Sequence, residues 1–238
     1  YAAAMQTKTG VHPRKPVRGS AVPAPETKGK PESQEGGLFS PDMLTQMQVI
    51  FERMEQNLIL SLDLDDRPVS NELRQYMEEL AKLTDKLSVS VGSEGTAASE
   101  RPCVRVLRAD GTDTGLAFHG VPGGHEFTSF MLGLYNAAGP GQSLDDETRT
   151  RILGIDRKID MKVLISLSCT MCPDVVTAVQ RIAAERADVR ADIYDIRYFP
   201  DLKKKYNVMS VPCVIVGEEV FFGRKHIDEI ADILVSRA

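Results

Sequence analysis

Four cysteines are all that the 238 residues contain, too few for a fold stapled by a framework of disulfides. Only Cys169 and Cys172 have a metal-like spacing. Tetrahedral zinc wants four ligands, and Cys103 and Cys213 lie in different halves with no paired spacing, so a zinc site has little support. No apolar run approaches the roughly 20 residues a membrane span needs, and no hydrophobic leader follows the N-terminus. Positive charge is not in excess either. With 29 Lys and Arg against 34 Asp and Glu the net charge is -5, which gives no general electrostatic reason to bind nucleic acid or an anionic membrane. No G-x-G-x-x-G follows a strand-like segment, and the glycines from Gly120 to Gly124 do not make one. These absences predict a cytoplasmic chain that binds no metal and no flavin or dinucleotide of its own, and whose partners are proteins or small molecules.

Residues 1–39 are rich in Pro, Gly, Lys and Ser and almost free of bulky apolar residues; they read as a disordered tail. Order is expected from Ser40, a good N-cap followed by Pro41 and Asp42. Met43, Met47, Ile50, Phe51 and Met54 then recur at helical spacing and are assigned to a core. Beyond them "NLILSLDL" reads as a strand, "VSNELRQYMEELAKLTDKL" as an amphipathic helix and "KLSVSV" as a strand. A hairpin turning at Asp110-Gly111 and the helix "HEFTSFMLGLYNA" complete this half. The order then repeats. A helix capped by Ser143 leads into "KVLISL", the helix "DVVTAVQRIAAERA", the strand "VRADIYDI", the short helix "PDLKKKY", the hairpin "PCVIVGEEVFFG" and a closing helix.

The two copies overlay. Leu60 to Pro68 lies over Ile165 to Pro173, "RPCVRV" over "VPCVIV", and Phe118 to Gly120 over Phe221 to Gly223. Helix, strand, helix, parallel strand, connector, antiparallel hairpin and helix is the thioredoxin-like order. The fold class is therefore α/β: two tandem thioredoxin-like folds, mixed sheets flanked by helices, over residues 40–141 and 142–238. Leu64 and Arg67 stand in the first where Cys169 and Cys172 stand in the second, so only the second can run dithiol chemistry. The connector "GSEGTAASE" of the first also lacks the helical pattern of "PDLKKKY".

Cys169 comes just past a strand and at the start of a helix, where unpaired N–H groups and the helix dipole favour a thiolate; it is the expected nucleophile. Cys172, one turn on, is the expected resolving thiol, and Pro173 stiffens the helix entrance. Pro212 opens a strand after a small loop, which predicts a cis Val211–Pro212 bond facing the cysteines. Val211 and Pro212, with Thr170 and Met171 between the thiols, are the expected substrate-binding residues, the Val211 backbone pairing with an extended segment. Cys103 and Cys213 are assigned to the core. His119, His125 and His226 are read as capping or surface groups, the carboxylates from Asp63 to Asp66 as caps for the next helix, and the "DLKKKYN" lysines as a solvated face.

"SLSC" and "CPDVV" around the dithiol, together with "GHEFTS" from Gly124 to Ser129, carry a resemblance that runs from about Ser40 to the end. Over that span the chain resembles the N-terminal domain of the alkyl hydroperoxide reductase flavoprotein subunit. The resemblance implies that a redox-active Cys169–Cys172 disulfide carries electrons from a thioredoxin-reductase-like module, which holds FAD and NAD(P)H, to the disulfide of a peroxiredoxin. It gives this chain no cofactor of its own, so oxidation of NAD(P)H is expected only with a separate or fused reductase. Thr170-Met171 is neither Gly-Pro nor Pro-Tyr, and nothing supports use of glutathione. Two other readings stay open: a general protein disulfide reductase or glutaredoxin-like protein, and a redox-inert module that docks a peptide.

Overall fold

Alternating and fully apolar runs become strands, and stripes at helical spacing become helices, in nearly the order expected. The computed structural model describes residues 37–92 and 95–237; the tail expected over residues 1–39 lies outside them except for its last residues. There Phe39 is already packed, its ring 5.1 Å from that of Tyr76 and 6.5 Å from that of Phe127.

Helix α1 (Pro41–Arg53) starts as expected, with Ser40 Oγ accepting the Met43 N–H at 3.2 Å. Its stripe is core: Met47, Phe51 and Met54 are buried, and Met43 and Ile50 pack against them. Strand β1 (Leu58–Asp63), helix α2 (Pro68–Ala81), strand β2 (Leu87–Val91), the hairpin β3 (Cys103–Arg108) and β4 (Asp113–His119), and helix α3 (Phe127–Ala138) make the first half. Helix α4 (Asp146–Leu153), β5 (Ile159–Ile165), α5 (Cys172–Glu185), β6 (Val189–Asp195), α6 (Pro200–Lys205), β7 (Cys213–Val216), β8 (Glu219–Phe222) and α7 (Ile227–Ser236) make the second. Among the described residues, a short 3-10 turn, Ala98–Glu100, stands in the first half where α6 stands in the second. The cap of α4 differs from expectation. Asp145, not Ser143, accepts the Thr148 N–H, at 2.7 Å, because the helix begins at Asp146 and a cap must sit immediately before it. Among the described residues no helix is long and apolar enough to cross a membrane.

One mixed sheet of eight strands runs through both halves in the order β2-β1-β3-β4-β6-β5-β7-β8. In each half the first strand is flanked by a parallel and an antiparallel neighbour: β1 by β2 and β3, β5 by β6 and β7. The halves meet where β4 pairs in parallel with β6, Leu116 opposite Ala191 through to His119 opposite Tyr194. Helices α3 and α5 pack on one another beside this seam. Gly115 permits the approach. It has φ +85°, and a Cβ there would lie 2.6 Å from the Val189 carbonyl oxygen.

Polar groups also cross the seam. His119 Nδ1 lies 2.6 Å from the Glu100 carbonyl oxygen, which can only accept, and Nε2 lies 2.7 Å from Asp192 Oδ1. The imidazole stacks on Tyr194 at 4.0 Å, and the Tyr194 hydroxyl donates to Glu100 Oε1 at 2.7 Å. Burial alone would push Asp192 up, but the His119 hydrogen bond and charge, with Arg105 and Arg190, hold it below the usual carboxylate range. His119 is thus wholly buried and bonded, not a capping or surface group as its isolation in sequence suggested; polar partners at both ring nitrogens and a stacked aromatic ring offset the cost of burying it.

Candidate redox site

Strand β5 ends at Ile165 and α5 begins at Cys172, so the reactive pair lies in the turn between a buried strand and the positive end of a helix. Cys169 donates its backbone N–H to the Ser166 carbonyl at 3.0 Å, which curls the turn and brings its sulfur over the helix entrance. Cys169 and Cys172 are joined in a disulfide, with Cα atoms 5.5 Å apart. The Cys172 N–H points at Cys169 Sγ from 3.2 Å. Cys169 is half-buried, whereas Cys172 is completely enclosed, its place fixed by the core side of α5.

The strand-opening proline completes the corner. Val211–Pro212 is cis, as expected, and Cys169 Sγ lies 3.9 Å from the Val211 carbonyl oxygen. Pro212 is buried, its carbonyl accepting the Gly223 N–H at 3.0 Å, while Val211 is half-buried. Thr170 is exposed, and Met171 is 48% exposed. Thr170, Met171 and Val211 thus flank Cys169 with part of their surface exposed, and Pro212 is buried beside them. Cys213, next to Pro212, faces inward; burial pushes its thiol up to about 11, and that of Cys103 up to about 12, so neither is poised to react.

Sequence reasoning passed over Glu126. It is wholly buried on the turn between β4 and α3, which packs against α5. Gly124, two residues earlier, has φ +53° and abuts Leu167 so closely that a Cβ would lie 2.9 Å from the Leu167 carbonyl oxygen. That same carbonyl accepts the His125 N–H at 3.0 Å. The first half thus touches the turn that carries Cys169. Burial pushes the Glu126 carboxyl up to about 7, against a hydrogen bond from Ser129 Oγ to Oε2 that favours ionisation. Its other oxygen, Oε1, is buried without a hydrogen-bond partner. The signal was "GHEFTS" itself, an acid directly before the apolar helix "FTSFMLGLYNA".

Two of the glycines serve close packing: a Cβ at Gly120 would meet Asp195 Cβ at 3.1 Å, and the space beside Gly124 is taken by Leu167. The Asp63 to Asp66 carboxylates do not cap α2. Arg67 holds the N-cap position with no side-chain bond, and Asp65 instead accepts from the Arg67 N–H at 3.1 Å and from Ser70 Oγ at 2.6 Å. The repeat had placed them before a helix, but the turn is one residue too long for a carboxylate to reach the cap. His226 does occupy the N-cap position of α7, where Glu229 Oε1 accepts its N–H at 3.5 Å. Among the described residues no group of His, Cys, Asp and Glu is arranged to hold a metal ion.

The family model of the thioredoxin domain matches residues 159–234, the half that carries the disulfide. The alkyl hydroperoxide reductase AhpF of Pseudomonas aeruginosa is 33% identical over 81% of this chain and 36% of its own length. A Bacillus subtilis protein named NADH dehydrogenase is 29% identical over 78% of this chain and 36% of its own length. The chain spans about a third of the length of these curated relatives. The structure of the NTD_N/C domain of alkylhydroperoxide reductase AhpF from Enterococcus faecalis superposes with a TM-score of 0.77 at 35% identity, covering 82% of this chain and 99% of that one. A protein disulfide oxidoreductase from Aeropyrum pernix shares the fold at a TM-score of 0.71 and 17% identity, covering 84% of this chain and 93% of its own. A disulfide at a helix entrance in a thioredoxin fold makes this chain a thiol–disulfide oxidoreductase module. The chain belongs to the AhpF family of alkyl hydroperoxide reductases, and it corresponds to that family's N-terminal domain.

Proposed function

We propose that Cys169 and Cys172 relay electron pairs from a thioredoxin-reductase-like flavoprotein module to the disulfide of a peroxiredoxin, in a reducing compartment such as the cytoplasm. The observation that carries this is the asymmetry of the pair: a half-exposed Cys169 that faces the Val211 carbonyl at 3.9 Å, and an enclosed Cys172 one turn deeper. An incoming protein disulfide can reach the first sulfur and not the second.

In the dithiol form, the Cys169 thiolate attacks one sulfur of the substrate disulfide. A mixed disulfide forms, the substrate S–S bond breaks, and the other substrate sulfur leaves as a thiolate. Cys172, once deprotonated, attacks Cys169 Sγ, which forms the intramolecular disulfide and releases the second substrate thiol. Two electrons pass from the dithiol to the substrate. The helix-start N–H that lies 3.2 Å from Cys169 Sγ stabilises a thiolate there and makes Cys169 the better nucleophile and leaving group. Val211, Pro212, Thr170 and Met171 form the rim that holds the substrate strand. Refilling the dithiol needs hydride chemistry, which FAD and NAD(P)H supply in a flavoprotein module.

The prereduced chain should lose both thiols to a peroxiredoxin disulfide in one turnover. Sustained NAD(P)H consumption should require an added thioredoxin-reductase-like flavoprotein. Oxidation of NAD(P)H by the chain alone, or a reduced pair that no peroxiredoxin disulfide oxidises, overturns the proposal.

A further inference from the structure

We propose that α6 and the loop after it form a docking surface for an acidic, extended segment of the disulfide-bearing substrate. The proposal rests on the dithiol being a donor to protein disulfides, and it specifies the chemistry of what is recognised.

Lys203, Lys204 and Lys205 follow one another on α6, and all are exposed. Among the described residues no carboxylate pairs with any of them within ion-pair distance, although Asp201 lies on the same helix. Lys205 Nζ instead sits 5.1 Å above the Tyr206 ring. The chain as a whole carries a net charge of -5, so three adjacent unpaired cations are a local reversal of sign. A short loop joins them to the site. The Lys203 carbonyl accepts the Val208 N–H at 2.9 Å, Asn207 turns the backbone at φ 49°, and the chain then runs through Met209 and Ser210 to Val211, beside Cys169. Asp174, two residues past Cys172, is neutralised by Arg224 at 2.6 Å and does not offset the lysines.

Apolar groups point the same way. Met209 is 81% exposed and Met171 is 48% exposed, so an unbranched thioether stands on the loop leading to Val211 and another stands between the cysteines. Thioethers adapt to varied apolar neighbours, and exposed methionines are over-used on binding surfaces. The surface thus asks for carboxylates opposite the lysines, an apolar residue near the reacting cysteine, and extended backbone along Val211. Lysines this exposed act mainly through the rate of encounter and the choice of partner, within a screening length of about 10 Å at 0.1 M salt.

The test uses the prereduced full chain and short peptides linked by a disulfide to thionitrobenzoate. The peptides are identical except that their flanking residues are Asp and Glu, Gln and Ser, or Lys. Second-order release of thionitrobenzoate is followed at ionic strengths of about 0.02 M and about 0.5 M. The acidic peptide should react about tenfold faster than the Lys peptide at low salt, and the gap should close to within about twofold at high salt. In the triple variant Lys203→Glu, Lys204→Glu, Lys205→Glu the order of the charged peptides should reverse. In the milder Lys203→Gln, Lys204→Gln variant the ratio should fall towards one. Equal rates for the charged peptides while the Gln and Ser peptide is reduced, or an acidic preference that survives both variants, would overturn this inference and leave the disulfide-donor reading intact. Failure to reduce any of the peptides at either ionic strength would overturn both.

Discussion

The same corner of the fold is built twice and ends differently. In the second half, Cys169 Sγ faces the carbonyl of the residue before a cis proline, Val211, at 3.9 Å. In the first half, Arg101–Pro102 is also cis, and the partner of the Arg101 carbonyl is the Arg67 guanidinium, whose Nη2 donates to it at 2.5 Å. Arg67 also binds Asp65 Oδ2 through Nε at 2.8 Å and donates from Nη1 to the Tyr198 carbonyl at 2.9 Å. Tyr198 belongs to the β6–α6 connection of the second half. One corner is left open with a reactive sulfur at its rim. The other is occupied by a cation that ties it to its neighbour. A thioredoxin-like frame therefore makes the site available, and one or two side chains decide whether it becomes a reaction centre or a joint.

Removing the nucleophile breaks this contrast most severely. Cys169→Ser should lower disulfide exchange by about 10³-fold or more, whereas Cys172→Ser should still form mixed disulfides that accumulate without resolution, visible by mass spectrometry. Placing cysteines at Leu64 and Arg67 in a chain lacking Cys169 and Cys172 should not restore exchange, because the backbone of this corner is held by the Arg67 hydrogen bonds to Asp65, Arg101 and Tyr198 that the change removes. Recovery of even about a tenth of the wild-type rate would show that the thiols alone make the difference.

Next in size is the seam. Gly115→Ala adds a Cβ 2.6 Å from the Val189 carbonyl oxygen at φ +85°, and should cost about 3 kcal/mol in denaturant unfolding. An unchanged unfolding midpoint would mean that β4 and β6 can separate without loss.

Glu126 gives a pH-dependent test of the link between the halves. Its folded carboxyl, raised by burial to about 7, holds a proton that the unfolded chain releases at its ordinary, lower pKa. The stabilisation is therefore full below that ordinary value and is lost as pH rises through about 7, on the order of 3 kcal/mol in all. Glu126→Gln should flatten this decline between the ordinary carboxyl pKa and about pH 7, read from denaturant unfolding at a series of pH values. A decline of the same slope in the variant would place its origin elsewhere.

The smallest effect concerns the joint. Arg67→Ala leaves the Tyr198 and Arg101 carbonyls without their donor, but the side chain is 42% exposed and water can replace part of the loss. Thermal unfolding should report a cost of about 1 kcal/mol, with the rate of disulfide exchange at Cys169 little changed. A large loss of exchange would mean that the first half's corner positions the second's.

Much of the fold was legible because its signals are local. The stripe through Met47, Phe51 and Met54, the turn at Asp110-Gly111 and the run "KVLISL" each state their structure within a few residues, and all three are realised. The redox corner was legible for a related reason. A CxxC at a helix start and a proline at a strand start are short motifs, and the repeated order brings them together. Glu126 and His119 were not legible, because burial by another element gives them their character. An acid raised towards neutrality needs the apolar packing around it, and an imidazole bonded to both Glu100 and Asp192 needs two strands from different halves.

By itself the sequence determined the class of the main helices and strands, the doubling of the thioredoxin-like unit and the place of a CxxC at a helix start, since these rest on spacing along the chain. Tertiary structure alone decided that the halves share one sheet through β4 and β6, that Arg67 occupies the first corner, and that Glu126 is held beside the turn carrying Cys169. Edge pairing, a guanidinium's choice of carbonyls and the desolvation of a carboxyl are energies of contact between residues far apart in the chain, and they come into being only when the chain has folded.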